Sequence, residues 1–178
     1  MVQSTLVPSD ITFDQAIDFS NSLLEKIEAK EISSSEIEAT VSELVKTENG
    51  ARGFFVTYLT TDKALADNPS QEVVQALRSH LEIVAQLLAK NVAMSAATAL
   101  THQRNGNEEM AKSAATVRDR TSNLIQLVDR SDVYSCCGEL LQSATTGEGK
   151  YKAFLDRWGY DREQRQLICQ ALEKVLPN

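Results

Sequence analysis

Two histidines and three cysteines hold most of the reactive chemistry open to this 178-residue chain. His80 and His102 lie 22 positions apart on one helical stretch. At about 100° and 1.5 Å per residue they point the same way but stand about 33 Å apart, too far to share a metal. A di-iron bundle centre pairs Glu-x-x-His motifs from two helices. Here Leu77 stands three positions before His80 and Ala99 three before His102, so that pattern is missing. Both histidines project from the apolar side of the helix and are expected to pack there as partly buried, satisfied groups. Cys136 and Cys137 are neighbours and Cys169 is distant. This is neither a disulfide framework nor a CxxC metal spacing. A place early in a helix predicts somewhat lowered thiol pKa values for Cys136 and Cys137, although adjacent cysteines on an apolar helix more often serve packing. Gly147-Glu148-Gly149-Lys150 lacks the length and the preceding strand of a phosphate loop, and no nucleophile elbow occurs. No catalytic residue, metal ligand or cofactor is expected.

Arginine beside aromatic residues is the composition of binding hot spots. Arg157, Arg162 and Arg165 cluster near Trp158 and Tyr160, Arg118 and Arg120 flank the seam of a long helix, and Arg52 opens the aromatic segment that holds Tyr58. Arg52, Tyr58, Arg118, Arg120, Arg157, Trp158, Tyr160 and Arg162 therefore form the candidate partner surface. The competing assignment is preferred at the Trp158 cluster. In it Trp158 closes the core, and the arginines pair with Asp156, Asp161 and Glu163.

Composition narrows the class. Hydrophobic residues make up 42% and charged residues 24%, ordinary for a globular protein. A net charge of −7 opposes general binding to nucleic acid or an anionic membrane. Met1 to Pro8 is no secretory signal, and the uncharged stretch Asn91 to Gln103 is too short and too rich in Ala, Ser and Thr to span a bilayer. Reduced thiols point to the cytoplasm.

The elements that must position these residues read as helices throughout. A single all-α domain, 1–178, is expected, a bundle built around a long antiparallel hairpin. Residues 1–10 read as a loose tail, 11–67 as N-terminal helices, 68–130 as the hairpin and 131–178 as C-terminal helices. Thr12 with Gln15, Ser33 with Glu36, and Asp161 with Gln164 fit capping boxes. Asn49-Gly50 reads as a helix stop. Gly53 to Leu59 is β-prone, but without another strand to join it is assigned as a buried helix. Asn68 and Pro69 open one helix to Gln103, with Val73, Leu77, Leu81, Val84, Leu88 and Val92 on its apolar face. After the turn Asn105-Gly106-Asn107, a second long helix carries the seam Met110, Ala114, Val117, Thr121, Leu124 and Val128.

ENGARGFFVTYLTTD, LADNPS and TGEGKYKAFLDRWGYD resemble segments of small, all-helical, uncharacterised proteins from photosynthetic bacteria. The resemblance spans most of the chain after residue 10. It implies a soluble bacterial protein and no particular activity.

The leading expectation is a non-enzymatic interaction or regulatory module. Its partner is another protein or a second copy of the chain, and nucleic acid and membrane insertion are not expected. The alternative is a carrier of a hydrophobic ligand or chromophore, held between the hairpin and Phe54, Phe55 and Tyr58. Last comes an enzyme using the thiols, or His102 with Glu108 and Glu109.

Overall fold

The protein is all-α. A computed structural model describes residues 6–178, and no strand occurs among them. The helices are α1 (Phe13–Glu28), α2 (Ser34–Leu44), α3 (Glu48–Thr60), α4 (Gln71–Leu77), α5 (Leu81–Arg104), α6 (Glu108–Val128), α7 (Ser131–Thr146), α8 (Lys152–Trp158) and α9 (Arg162–Val175). They fall into two compact units, residues 1–84 and 85–178, whose boundary lies within α5.

In the first unit α1 packs on α3 and α2 on α4. Both α1 and α2 open on capping boxes, Thr12 with Gln15 and Ser33 with Glu36. Each box satisfies two backbone N–H groups that the first turn leaves open. Ala16, Leu23 and Leu24 of α1 face a core that includes Val41, Leu44, Phe54, Phe55, Tyr58 and Leu77. A fully buried side chain of this size contributes about 1.5–3 kcal/mol through loss of apolar contact with water. The β-prone segment is helical, as α3.

Asn49-Gly50 does not end a helix. It lies in the first turn of α3, where the Thr47 hydroxyl accepts from the Gly50 N–H at 3.1 Å. Gly50 is there for space, since a Cβ would stand 2.1 Å from the Leu44 carbonyl oxygen. Gly53 has the same role at the α1–α3 contact, where a Cβ would lie 2.4 Å from the Ala16 Cβ. The tail, too, is shorter than expected. Val7 and Ile11 are buried, and the Ile11 N–H donates to the Pro8 carbonyl at 3.2 Å. The tail residues 1–5 lie outside the described residues.

The long helix begins two residues later than Asn68 and Pro69 suggest. Ser70 is its cap, accepting from the Val73 N–H at 3.4 Å. A 3₁₀ turn at Arg78–His80 then separates α4 from α5. The cause is local. The Ser79 hydroxyl donates to the Ala76 carbonyl at 2.6 Å, and the Arg78 N–H is shared among three carbonyls. Side-chain competition of this kind loosens the regular helical ladder. The run Gln71–Arg104 contains a window apolar enough to cross a membrane, but 56% of that window is buried within the protein. That burial is the mark of a core helix.

In the second unit Gly106, at φ +70°, reverses the chain between α5 and α6. Only a residue without Cβ adopts this conformation freely. The expected seam of α6 holds in its later half, where Thr121, Leu124 and Val128 are buried. It fails at the tip, where Met110 is 46% exposed and Ala111 is the buried residue instead. The helix α7 packs on α9 and α8. It runs through Thr145 and Thr146, whose hydroxyls each donate to a carbonyl four residues earlier at 2.8 Å. Gly147 then ends it in the left-handed conformation. The next helix starts at Lys152, after the Ser143 hydroxyl accepts from the Tyr151 N–H at 3.1 Å. The last capping box, Asp161 with Gln164, opens α9.

Candidate functional site

The corner between α8 and α9 is set by two short-range devices. Gly159 ends α8 at φ +62°, and Asp161 caps α9 two residues later. Between them Tyr160 turns its ring against Phe154, 6.5 Å away and edge-on, and Lys90 of α5 stands 5.7 Å from the Phe154 ring. Burial pushes the Tyr160 phenol up to about 12, so it stays neutral at physiological pH.

Trp158 is 53% exposed at this corner. It does not close the core, contrary to the preferred sequence assignment. The fully buried residue of α8 is Leu155, while Trp158, in the last turn before Gly159, stays half in solvent.

The acids of the corner are already engaged. Asp156 accepts from Lys152 Nζ at 2.6 Å and from Arg165 Nη2 at 3.1 Å. Those two cations, Lys152 first, hold its carboxyl below the usual range. Asp161 accepts from Arg104 Nη1 at 2.6 Å, and the same guanidinium reaches Glu163 through Nη2. Arg104, more than the Gln164 backbone N–H, lowers the Asp161 pKa. Of the expected pairings only that of Arg165 with Asp156 forms. Asp161 and Glu163 are taken by Arg104, a residue that the sequence reading did not single out. Arg157 and Arg162 are exposed and form no ion pair among the described residues.

The other candidate residues lie elsewhere. Tyr58 is 1% exposed, and its hydroxyl donates to the Leu65 carbonyl at 3.3 Å. Its ring stacks on Phe54 at 5.2 Å, and Phe54 meets Phe55 edge-on at 5.6 Å. Those three rings fill the core of the first unit, so Tyr58 offers no surface to a partner. Arg120 is likewise buried. Arg52 is exposed and lies 5.1 Å over the Phe13 ring. Arg118, half-buried, donates through Nε to Asp119 at 2.9 Å and lines a cleft of about 410 Å³. That cleft lies between α5, α6 and α9, over Ala96, Ala99 and Leu100, with Gln103, Asn123, Gln126, Gln170 and Lys174 around its rim. Its three helices meet only in the tertiary structure, so no local pattern marked it.

All three cysteines are free, and Cys136 and Cys137 are buried. Burial pushes the Cys137 thiol up to about 12, which reverses the expected lowering at that residue because desolvation disfavours the thiolate. His80 and His102 are half-buried, and His80 Nδ1 lies 3.9 Å from Glu82. Glu108 and Glu109 are exposed at the start of α6. Among the described residues no three His, Cys, Asp or Glu side chains converge as a metal site.

A family match covers the chain from residue 12 to residue 175. The chain belongs to the family described as Uncharacterised conserved protein UCP020893. Its span takes in both compact units and every candidate residue named above. No curated protein and no solved structure matches the chain.

Proposed function

We propose that this protein is a non-enzymatic interaction or regulatory module that acts on another protein through the α8–α9 corner. The observation that carries this reading is the exposure of Trp158 between Arg157 and Arg162. An exposed indole is a large apolar surface, and Trp and Arg are the side chains that most often dominate an interface. The free thiols and the resemblance to helical proteins of photosynthetic bacteria support a bacterial cytoplasm as the setting. The test is affinity capture with the intact protein and with Trp158→Ala, quantified side by side. Selective loss of a partner from the variant, with an unchanged circular dichroism spectrum, is the expected result. Equal recovery by both proteins would remove the corner from the reading.

Small-molecule binding is the second reading. It rests on the cleft beside Arg118 rather than on Phe54, Phe55 and Tyr58, whose rings are packed against one another. A volume of about 410 Å³ suits a small ligand, and an apolar floor with a polar rim is the usual composition of such sites. Native mass spectrometry separates the readings. A stoichiometric extra mass supports the carrier, and a bare chain supports the interaction module.

A further inference from the structure

Charge is unevenly divided along the chain. Residues 1–84 carry 14 acidic and 6 basic residues, a formal −8, whereas residues 85–178 carry 11 acidic and 12 basic, a formal +1. Together these give the −7 of the whole. An acidic protein therefore contains a near-neutral half, and within that half the cations are not spread evenly. From Lys152 to Arg165 there are four basic and three acidic residues. Asp156 is shared by Lys152 and Arg165, and Arg104 holds both Asp161 and Glu163. Every carboxylate at the corner is thus bound by a cation other than Arg157 or Arg162. Those two, one position before and four positions after the exposed Trp158, remain in solvent without an ion pair among the described residues.

We propose that the partner docked at this corner is an acidic peptide segment carrying an apolar anchor, its carboxylates meeting Arg157 and Arg162 and its anchor covering Trp158. This assignment rests on the interaction reading and adds the chemistry of the partner to it. Guanidinium groups bind carboxylates bidentately with geometric selectivity. The cluster attracts acidic segments, and the excess negative charge elsewhere on the protein opposes extended polyanions such as nucleic acid. Arg162 is the first residue of α9 and Arg157 lies in the last turn of α8, so the two guanidinium groups belong to the two helix ends that meet at the corner carrying Trp158.

The chain has one tryptophan, and its fluorescence reports on this surface alone. The probe is a tryptophan-free peptide of alternating glutamate and leucine, titrated into the whole protein at about 50 mM salt. The expected result is a saturable blue shift of the emission, weakened at least tenfold in affinity at about 500 mM salt, where the Debye length shrinks below about 5 Å. The double variant Arg157→Glu/Arg162→Glu should abolish the shift. Glutamate favours the helix dipole at the first position of α9 and opposes it in the last turn of α8; because both sites are exposed, the circular dichroism spectrum should stay unchanged.

The absence of a shift up to millimolar peptide would overturn the assignment. So would a shift produced only by duplex DNA or phosphatidylserine vesicles, and so would a shift that grows with protein concentration alone, which points to a second copy. A captured partner lost on Trp158→Ala but retained by the charge-reversed variant would leave the corner as the interaction surface while rejecting the acidic class.

Discussion

Arg104, the last residue of α5, binds Asp161, the residue that caps α9, with Nη1 2.6 Å from Oδ2 across 57 positions of sequence. The next contact tightens the same junction, for Gln164 Nε2 donates to the Thr101 hydroxyl at 3.0 Å. One carboxylate thereby joins a local task, ordering the first turn of α9, to a long-range one, holding that turn against α5.

Removal of Asp161 should accordingly cost more than removal of Arg104. Asp161→Ala loses the cap and the ion pair together, while Arg104→Ala leaves the cap in place. Arg104 and Asp161 are both well exposed, so the ion pair alone contributes little. The thermal midpoint should fall clearly for Asp161→Ala and only slightly for Arg104→Ala. Equal midpoints for the two variants would show that the cap is energetically idle.

Acid should weaken the same junction. The Asp156 and Asp161 pKa values are lowered in the folded state, by Lys152 and Arg104 respectively as the largest cause. Their stabilisation is therefore present above the unfolded aspartate range, about pH 4, and is lost as pH falls through the lowered folded values. Urea midpoints measured from pH 6 to pH 2 should decline in the acid region, and Asp156→Asn/Asp161→Asn should flatten that decline.

Three glycines in helices should answer alanine substitution with opposite signs. Alanine at Gly53 would set its Cβ 2.4 Å from the Ala16 Cβ and 3.0 Å from backbone atoms of α1. Overpacking of this kind typically costs about 1–3 kcal/mol. At Gly50 the obstacle is the Leu44 carbonyl, which is backbone and cannot swing away. At Gly138, midway along α7, nothing lies within 4 Å of the added atom. Gly138→Ala should stabilise the protein by about 0.5–1 kcal/mol through helix propensity. Chemical denaturation of the three variants checks all three signs.

Thiol reagents should distinguish the cysteines by depth. Cys169 is half-buried on α9, with its sulfur 3.5 Å from the Thr145 hydroxyl. Cys137 is fully buried with its thiol pushed up to about 12, so almost none of it is thiolate at neutral pH. An aromatic disulfide reagent at pH 8 should modify Cys169 first and leave Cys137 until the protein unfolds. Mass mapping that finds Cys137 among the early products would contradict the packing of α7.

Trp158 offers a test that needs no partner. An indole with this exposure should emit near the wavelength of tryptophan in water and be readily quenched. Arg157 and Arg162 bias that quenching by sign, because a local cation attracts anions. Iodide should quench more efficiently than caesium at equal ionic strength, and the difference should reverse in Arg157→Glu/Arg162→Glu.

The sequence by itself determined features whose cause lies within a few residues. Thr12, Ser33 and Asp161 cap as expected because their partners stand three positions away and the reciprocal hydrogen bonds form wherever a helix starts. The helical period likewise marked Val84, Leu88 and Val92 as core residues, and the lack of a second strand correctly turned Gly53 to Leu59 into a helix. The tertiary structure decided the rest. Gly50 reads as a stop until the Leu44 carbonyl is beside it, and Tyr58 reads as a contact residue until Phe54 and Leu65 enclose it. Trp158 reads as core until the fold leaves it half in solvent at the end of α8. The pairing of Arg104 with Asp161 and Glu163 had no local signal, since a salt bridge depends on separation in space and carries no sequence period. That pairing also frees Arg157 and Arg162, so the character of the corner was set by a residue more than fifty positions away.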